Sequence, residues 1–389
     1  MRPISDTERR ARLARRHLVA PTDRAVDALA ATDAVVALHG TDASTVYLSL
    51  WARVPAIDIA TIDRALYDDR SLVRMLAMRR TVFVVSREAL PVVPAAATTG
   101  LLAGERKKVV DLAAALGKSD RWLRALESKT LAAVEARGEA LASELGVDVP
   151  DLRLTVTTGV GTKWEGTQSL STRVLWLLAN DARIVRARPR GSWLSSQHRW
   201  APMDRWLGGP LSAIDPSVAR IELVRRWLGA FGPGTAIDLR WWTGWTAKHV
   251  HAALTELGAV EVGLDSGATG WVLAGDERPA PEAKPWVALL PALDPTAMGW
   301  KERDWYVGAH APALFDRSGN IGPTVWSNGR IVGGWAQRAS GEVVTRLLED
   351  IGAAQARKVD ARAAALAQWL GAARVTPRFR TPLERELSA

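Results

Sequence analysis

His39, Thr41 and Asp42 are the residues of this chain whose types and spacing suit chemistry on a bound water. An imidazole of ordinary pKa, about 6.5, can accept a hydrogen bond from a water or remove its proton. Used as a base, it would lose activity at acidic pH. The Thr41 hydroxyl can hold the same water. If 39–41 is extended, His39 and Thr41 face one way, because side chains alternate along a strand. Gly40 between them leaves room for a ligand to approach the backbone. Asp42 can orient His39 or stabilise positive charge, and it is also a good N-cap for a following helix. No Ser-His-Asp set, phosphate loop or metal cluster competes with this site. His249 and His251 lie two apart and diverge on a helix, where a metal pair would sit four apart. The absence of cysteine excludes disulfides, thiolate catalysis and cysteine-ligated metals.

The elements that must position the trio lie on either side of it. An apolar run, 34–38, leads in, and a periodic helical segment, 43–53, leads out, with Val46, Leu50 and Arg53 on one face. The polar cluster thus precedes a helix N-terminus, where backbone N–H groups favour negative charge. Upstream, 5–17 reads as a helix with a Ser5/Glu8 capping box and arginines nearly all round, either solvated or in contact with phosphate. A second helix is expected over 22–31. Downstream, 57–66 and 72–78 read as helices and 79–85 as a strand. Residues 103–145 are helical with a break at 117–120, 143–154 returns to loop and strand, 159–165 is a loop and 169–182 a helix. The most basic and aromatic stretch, 183–206, reads as strand, turn and strand. Three helices, 216–231, 235–243 and 246–257, are closed by a strand and turn, 260–273. A linker over 277–284 precedes short strands at 286–290, 324–327 and 331–335, with Asn328-Gly329 as a two-residue hairpin turn. A helical stretch, 342–373, and a basic tail, 374–389, complete the reading.

The chain of 389 residues is long enough for several units and a sizeable core. Lys plus Arg number 51 against 42 for Asp plus Glu, a net charge of +9 that suits a polyanionic partner. No apolar run reaches the about 18 residues of a membrane span, and the basic N-terminal stretch lacks an apolar core, so a cytoplasmic protein is expected.

The stretch YLSLWAR at 47–53 resembles the AlkZ/YcaQ DNA glycosylases, described generically as winged-helix DNA-binding proteins. In that family a Gln-x-Gln or Gln-x-Asp pair precedes this helix, and here His39 and Thr41 stand in its place. The resemblance continues through 66–86, 289–303 and 315–335. It implies an α+β fold of tandem winged-helix units forming a DNA-binding cleft, with a small C-terminal β-rich domain. The expected units are 1–100, a helical connector at 101–158, 159–215 with the basic hairpin, 216–276, and 285–389. The implied activity is that of a monofunctional DNA glycosylase, acting on bulky alkylated or crosslinked purines in double-stranded DNA as a monomer, with no metal or organic cofactor. His39, Thr41 and Asp42 would be catalytic. Trp51, Arg53, Arg70, Arg79, Arg80, Lys163, Arg186, Arg188, Arg190, Arg199 and Asp294 are the expected DNA contacts; arginine among tryptophans suits phosphate contact and stacking. The alternative is a non-catalytic winged-helix DNA-binding protein or transcriptional regulator.

Overall fold

The computed structural model describes residues 1–97, 102–159, 161–162, 165–281 and 283–389. The 34–38 run ends in a two-residue strand, Leu38–His39, paired antiparallel with Val82–Ser86 so that His39 lies opposite Phe83. Leu72–Leu76 completes this sheet as a strand, not the expected helix. A short apolar run fits either state, and here all five residues are buried on both faces. Arg79 and Arg80, expected within a strand, form the hairpin tip instead, both with positive φ (52° and 60°).

The helix Ala43–Arg53 is capped by Asp42, whose carboxylate accepts from the Ser44 N–H at 3.0 Å. Every residue in it except Trp51 is buried, so it is a core helix rather than a surface one. The upstream helix spans Asp6–Arg16 with Ser5 as N-cap. Arg15 is exposed, but the other arginines are held or buried: Arg10 donates to the Trp305 carbonyl, Arg12 pairs with Glu8, Arg16 with Asp276, and Arg9 is buried. Glu8 is spent on Arg2 and Arg12 and closes no capping box. The second helix starts later than expected, at Ala28–Ala34, because Asp27 supplies the cap.

Helices Leu102–Ala115, Asp120–Arg137, Ala142–Asp148 and Leu170–Asn180 enclose a separate core that includes Leu123, Val134, Leu145 and Val174. Between the last two runs a small hairpin, Thr155–Thr158 with Gly166–Ser169. The basic hairpin pairs Ile184–Pro189 with His198–Pro202. The helical trio lies where the periodicity put it, at Pro216–Phe231, Ala236–Thr243 and Ala247–Leu257, followed by the strands Val260–Leu264 and Thr269–Val272. Arg2–Ile4 adds a parallel strand to that pair.

Val287–Leu290, Thr324–Ser327, Arg330–Gln337 and Val343–Leu347 form an antiparallel sheet in that order, with Asn328-Gly329 at positive φ in its hairpin turn. Val343–Leu347 falls inside the expected helix; its β-branched start pairs with Arg330–Gln337, and the helix begins only at Ala353–Leu370. The basic tail is no tail: Val375, Leu383 and Leu387 are buried, and Pro382–Ser388 packs on the sheet as a helix. The whole is a mixed α/β arrangement.

The 43–53 helix is locked to the 291–303 loop by buried polar groups. Thr45 donates to the Ala292 carbonyl at 2.8 Å. Arg53 grips Asp294 through two hydrogen bonds, of 2.9 and 2.7 Å, and Ser49 donates to the same carboxylate at 2.7 Å. Arg53 also reaches Thr296, whose hydroxyl meets His17 at 2.9 Å. Burial alone would raise the Asp294 pKa; the Arg53 charge and these hydrogen bonds outweigh it and hold the carboxyl below its ordinary range. Removing one partner strands a buried charge, so Asp294→Ala is expected to cost about 3–5 kcal/mol in urea unfolding. A loss below about 1 kcal/mol, the scale of a surface ion pair, would refute the lock.

Candidate active site

His39 and Thr41 open onto a cleft of about 550 Å³ to which nearly every part of the chain contributes. The hairpin tip supplies Arg79, Arg80 and Thr81; the basic hairpin supplies Arg186; Trp176 and Trp241 come from two helices. The 291–303 loop brings Met298, Lys301 and Arg303, the 318–320 turn adds its own edge, and Arg378 with Phe379 closes the wall. Six cationic side chains line this space, and no carboxylate does, among the described residues. Arg79 and Arg303 share one indole, their guanidinium carbons 4.2 and 4.7 Å from the Trp241 ring centre. Burial, reinforced by Arg303, lowers the Arg79 pKa to about 10. Burial, with Arg74 and Arg378 nearby, does the same to Arg186. Such a field draws in a polyanion.

The His39 ring is only 6 % exposed and lies 4.9 Å from Phe83, centre to centre. Its Nδ1 and the Thr41 Oγ1 are buried with no hydrogen-bond partner. Buried polar atoms are normally satisfied, so two orphans at one cleft mark unmet hydrogen-bonding capacity. Burial, then the Arg79 charge, lowers the His39 pKa to about 3. The ring is therefore neutral at neutral pH and a weak base, not the ordinary imidazole its sequence suggested. Gly40 leaves no room for a ligand either. A Cβ there would lie 3.2–3.3 Å from Val82 and Arg74, and Arg74 donates to the Gly40 carbonyl at 2.7 Å.

A family model described as DNA glycosylase AlkZ-like matches residues 32–369. The chain belongs to the AlkZ-like DNA glycosylase family. Its activity class is that of a DNA glycosylase. Among solved structures it is similar to the DNA glycosylase AlkZ of Streptomyces sahachiroi, with a TM-score of 0.72 and 20 % identity, covering 97 % of this chain and 100 % of that one. No curated protein sequence matches it.

In this AlkZ-like chain the cleft collects only part of the expected site. His39, Thr41, Arg79, Arg80 and Arg186 meet there. Asp42 does not line it: one carboxylate oxygen holds Ser44 and the other accepts from the Arg378 N–H at 2.9 Å. Arg53 and Asp294 have no exposed surface, so neither reaches DNA. Trp51 packs beside Trp369 with the Arg362 guanidinium over it, 4.4 Å from its ring centre. Arg70 lies over Trp206 and donates to its carbonyl. Arg188 is held by Asp63 and Asp68, and Arg199 by Glu144. Arg190 borders a smaller cavity beside the cleft, with Arg186 on both. Lys163 lies outside the described residues. Sequence reading missed Trp241, Lys301, Arg303 and Arg378. Lys301 and Arg303 sit in the quoted 289–303 stretch, where their charge was the available signal; Arg378 was hidden in the apparent tail.

Among the described residues no cluster of His, Asp or Glu is arranged to hold a metal ion, and no helix is long and apolar enough to cross a membrane.

Proposed function

We propose that the chain is a monofunctional glycosylase that hydrolyses the N-glycosidic bond of bulky alkylated or crosslinked purines in duplex DNA. A cationic cleft without a carboxylate, holding the unsatisfied His39 and Thr41, is the observation that carries this reading. An ordinary purine needs protonation to leave, and among the described residues no carboxyl group lines the cleft. A purine alkylated on its ring nitrogen already carries positive charge and leaves as a neutral base. What remains is to place a water and to bind phosphates. His39 and Thr41 place the water, since a neutral imidazole of low basicity holds a water better than it deprotonates one. The arginines bind flanking phosphates, whose negative charge then offsets the cations beside the developing sugar cation. The helical trio with its strand pair, and the Leu170–Asn180 helix with the basic hairpin, support a tandem winged-helix reading of the DNA-binding frame.

Incubation with alkylated duplex should leave abasic sites that break only after alkali. Strand breaks without alkali would replace the monofunctional reading with lyase chemistry, for which Lys301 lines the cleft as an amine. Intact DNA after both steps would leave a binding protein alone.

Duplex affinity should fall steeply with salt. Replacing Arg79, Arg186 and Arg378 together by Gln should flatten the log–log slope by roughly 0.9 for each phosphate no longer neutralised. Arg188→Gln, whose guanidinium is already paired, should leave the slope alone. Equal effects of the two variants would place the phosphate track elsewhere.

A further inference from the structure

A second chamber, of about 870 Å³, adjoins the cleft and shares Lys301, Arg303 and Gly319 with it. Arg303 is the partition. Its guanidinium carbon lies 4.7 Å from the ring centre of Trp241 on the cleft side and 4.9 Å from that of Phe315 on the chamber side. Its Nε donates to the Trp300 carbonyl at 2.8 Å, which fixes it there.

The two spaces differ in charge. Asp6, Asp265, Glu302 and Asp304 line the chamber against four cationic side chains, so it is balanced where the cleft is purely positive. With its charges balanced, the chamber gives a phosphate none of the net attraction that the cleft does. The walls nevertheless include apolar surface, with Ile237 54 % exposed. Arg9, 6 % exposed and 4.1 Å from the Trp305 ring centre, leaves its Nε without a partner. Ile237, Leu264, Val307 and Phe315 give the walls apolar surface among these charged groups, and the volume is that of a site for a drug-sized organic group.

We propose that this chamber receives the uncharged organic substituent of an alkylated purine whose glycosidic bond lies in the cleft. The inference rests on the glycosylase reading and names the part of the substrate that reading leaves unplaced. Carboxylates accept hydrogen bonds from the substituent, Arg9 donates, and the apolar walls take its hydrocarbon surface. The chamber then separates bulky adducts from small ones without touching DNA phosphate.

The test compares two duplexes by fluorescence anisotropy. One carries an N7-guanine adduct of an uncharged polycyclic group, the other N7-methylguanine, each on a 2′-fluoro sugar that keeps the bond intact. The wild-type chain should bind the bulky duplex about tenfold or more tightly, the scale of added interactions in an apolar pocket. Ser266→Trp and Ala311→Trp each put a large side chain into the chamber from its lining. Loss of the preference in either variant, with binding to undamaged duplex retained, supports the chamber. No preference in the wild type, or a preference preserved in both variants, overturns it. Thermal unfolding confirms that each variant folds. Failure of the glycosylase reading shows separately, as absent excision from unfluorinated duplexes.

Discussion

His39→Ala is expected to slow base excision about 10²-fold, the scale of a misplaced reactant, with duplex affinity nearly unchanged. The phosphate-binding cations stay in place, while the ring that carries one of the two unsatisfied atoms is gone. His39→Gln separates placement from proton removal. A glutamine amide can hold water but cannot take its proton at neutral pH, so activity kept in Gln and lost in Ala identifies placement. Equal loss in both identifies a base, and full activity in both removes His39 from the mechanism. The pH profile gives an independent readout. A base of ordinary pKa would lose activity below pH about 6.5. With its pKa at about 3, His39 stays neutral throughout that range, so its contribution should be flat from pH 8 to 5. A His39-dependent inflection near 6.5 would refute the buried, neutral ring.

Acid should unfold this chain unusually early. His17, His39 and His198 are each buried, and each has its pKa lowered to about 3. Burial is the main cause in all three, reinforced by Arg53 at His17, Arg79 at His39 and Arg74 at His198. In the unfolded chain each binds a proton below about 6.5; in the folded chain each stays bare until about 3. The unfolded state therefore binds more protons across that window, and stability falls as pH falls. Each histidine contributes about 1.4 kcal/mol per pH unit, so the three together remove roughly 4 kcal/mol per unit. Two such units remove roughly 8 kcal/mol, as much as the whole stability of many domains in the usual range of about 5–15 kcal/mol. The urea midpoint should drop steeply between pH 6 and 4.5, and His17→Gln should lessen the slope by about a third. A midpoint constant down to pH 4.5 would contradict the burial of all three rings.

The sequence made the helix starts legible wherever a short polar side chain caps an apolar period, as at Asp42 and Thr246. It made hairpins legible where turn chemistry is explicit, as at Asn328-Gly329. It misled where one local pattern suits two states. Leu72–Leu76 and Val343–Leu347 are strands because partners exist for them, and partners are not a local property. Of the site, the 39–41 pair was readable from its place before a capped helix. The pKa of His39 was not, since it depends on burial and on Arg79, forty residues away in the chain. Charge alone could not separate arginines facing the cleft from Arg53 or Arg188, which are neutralised by carboxylates far along the sequence.

The hydrogen bond between the Arg378 N–H and the Asp42 carboxylate joins residues 336 positions apart. A chain cut at residue 370 contains the residues of the His39 strand, the hairpins and all the described sheets. It lacks the backbone amide that Asp42 holds and the Arg378–Phe379 wall of the cleft. The cleft is therefore incomplete until residues 378 and 379 are in place.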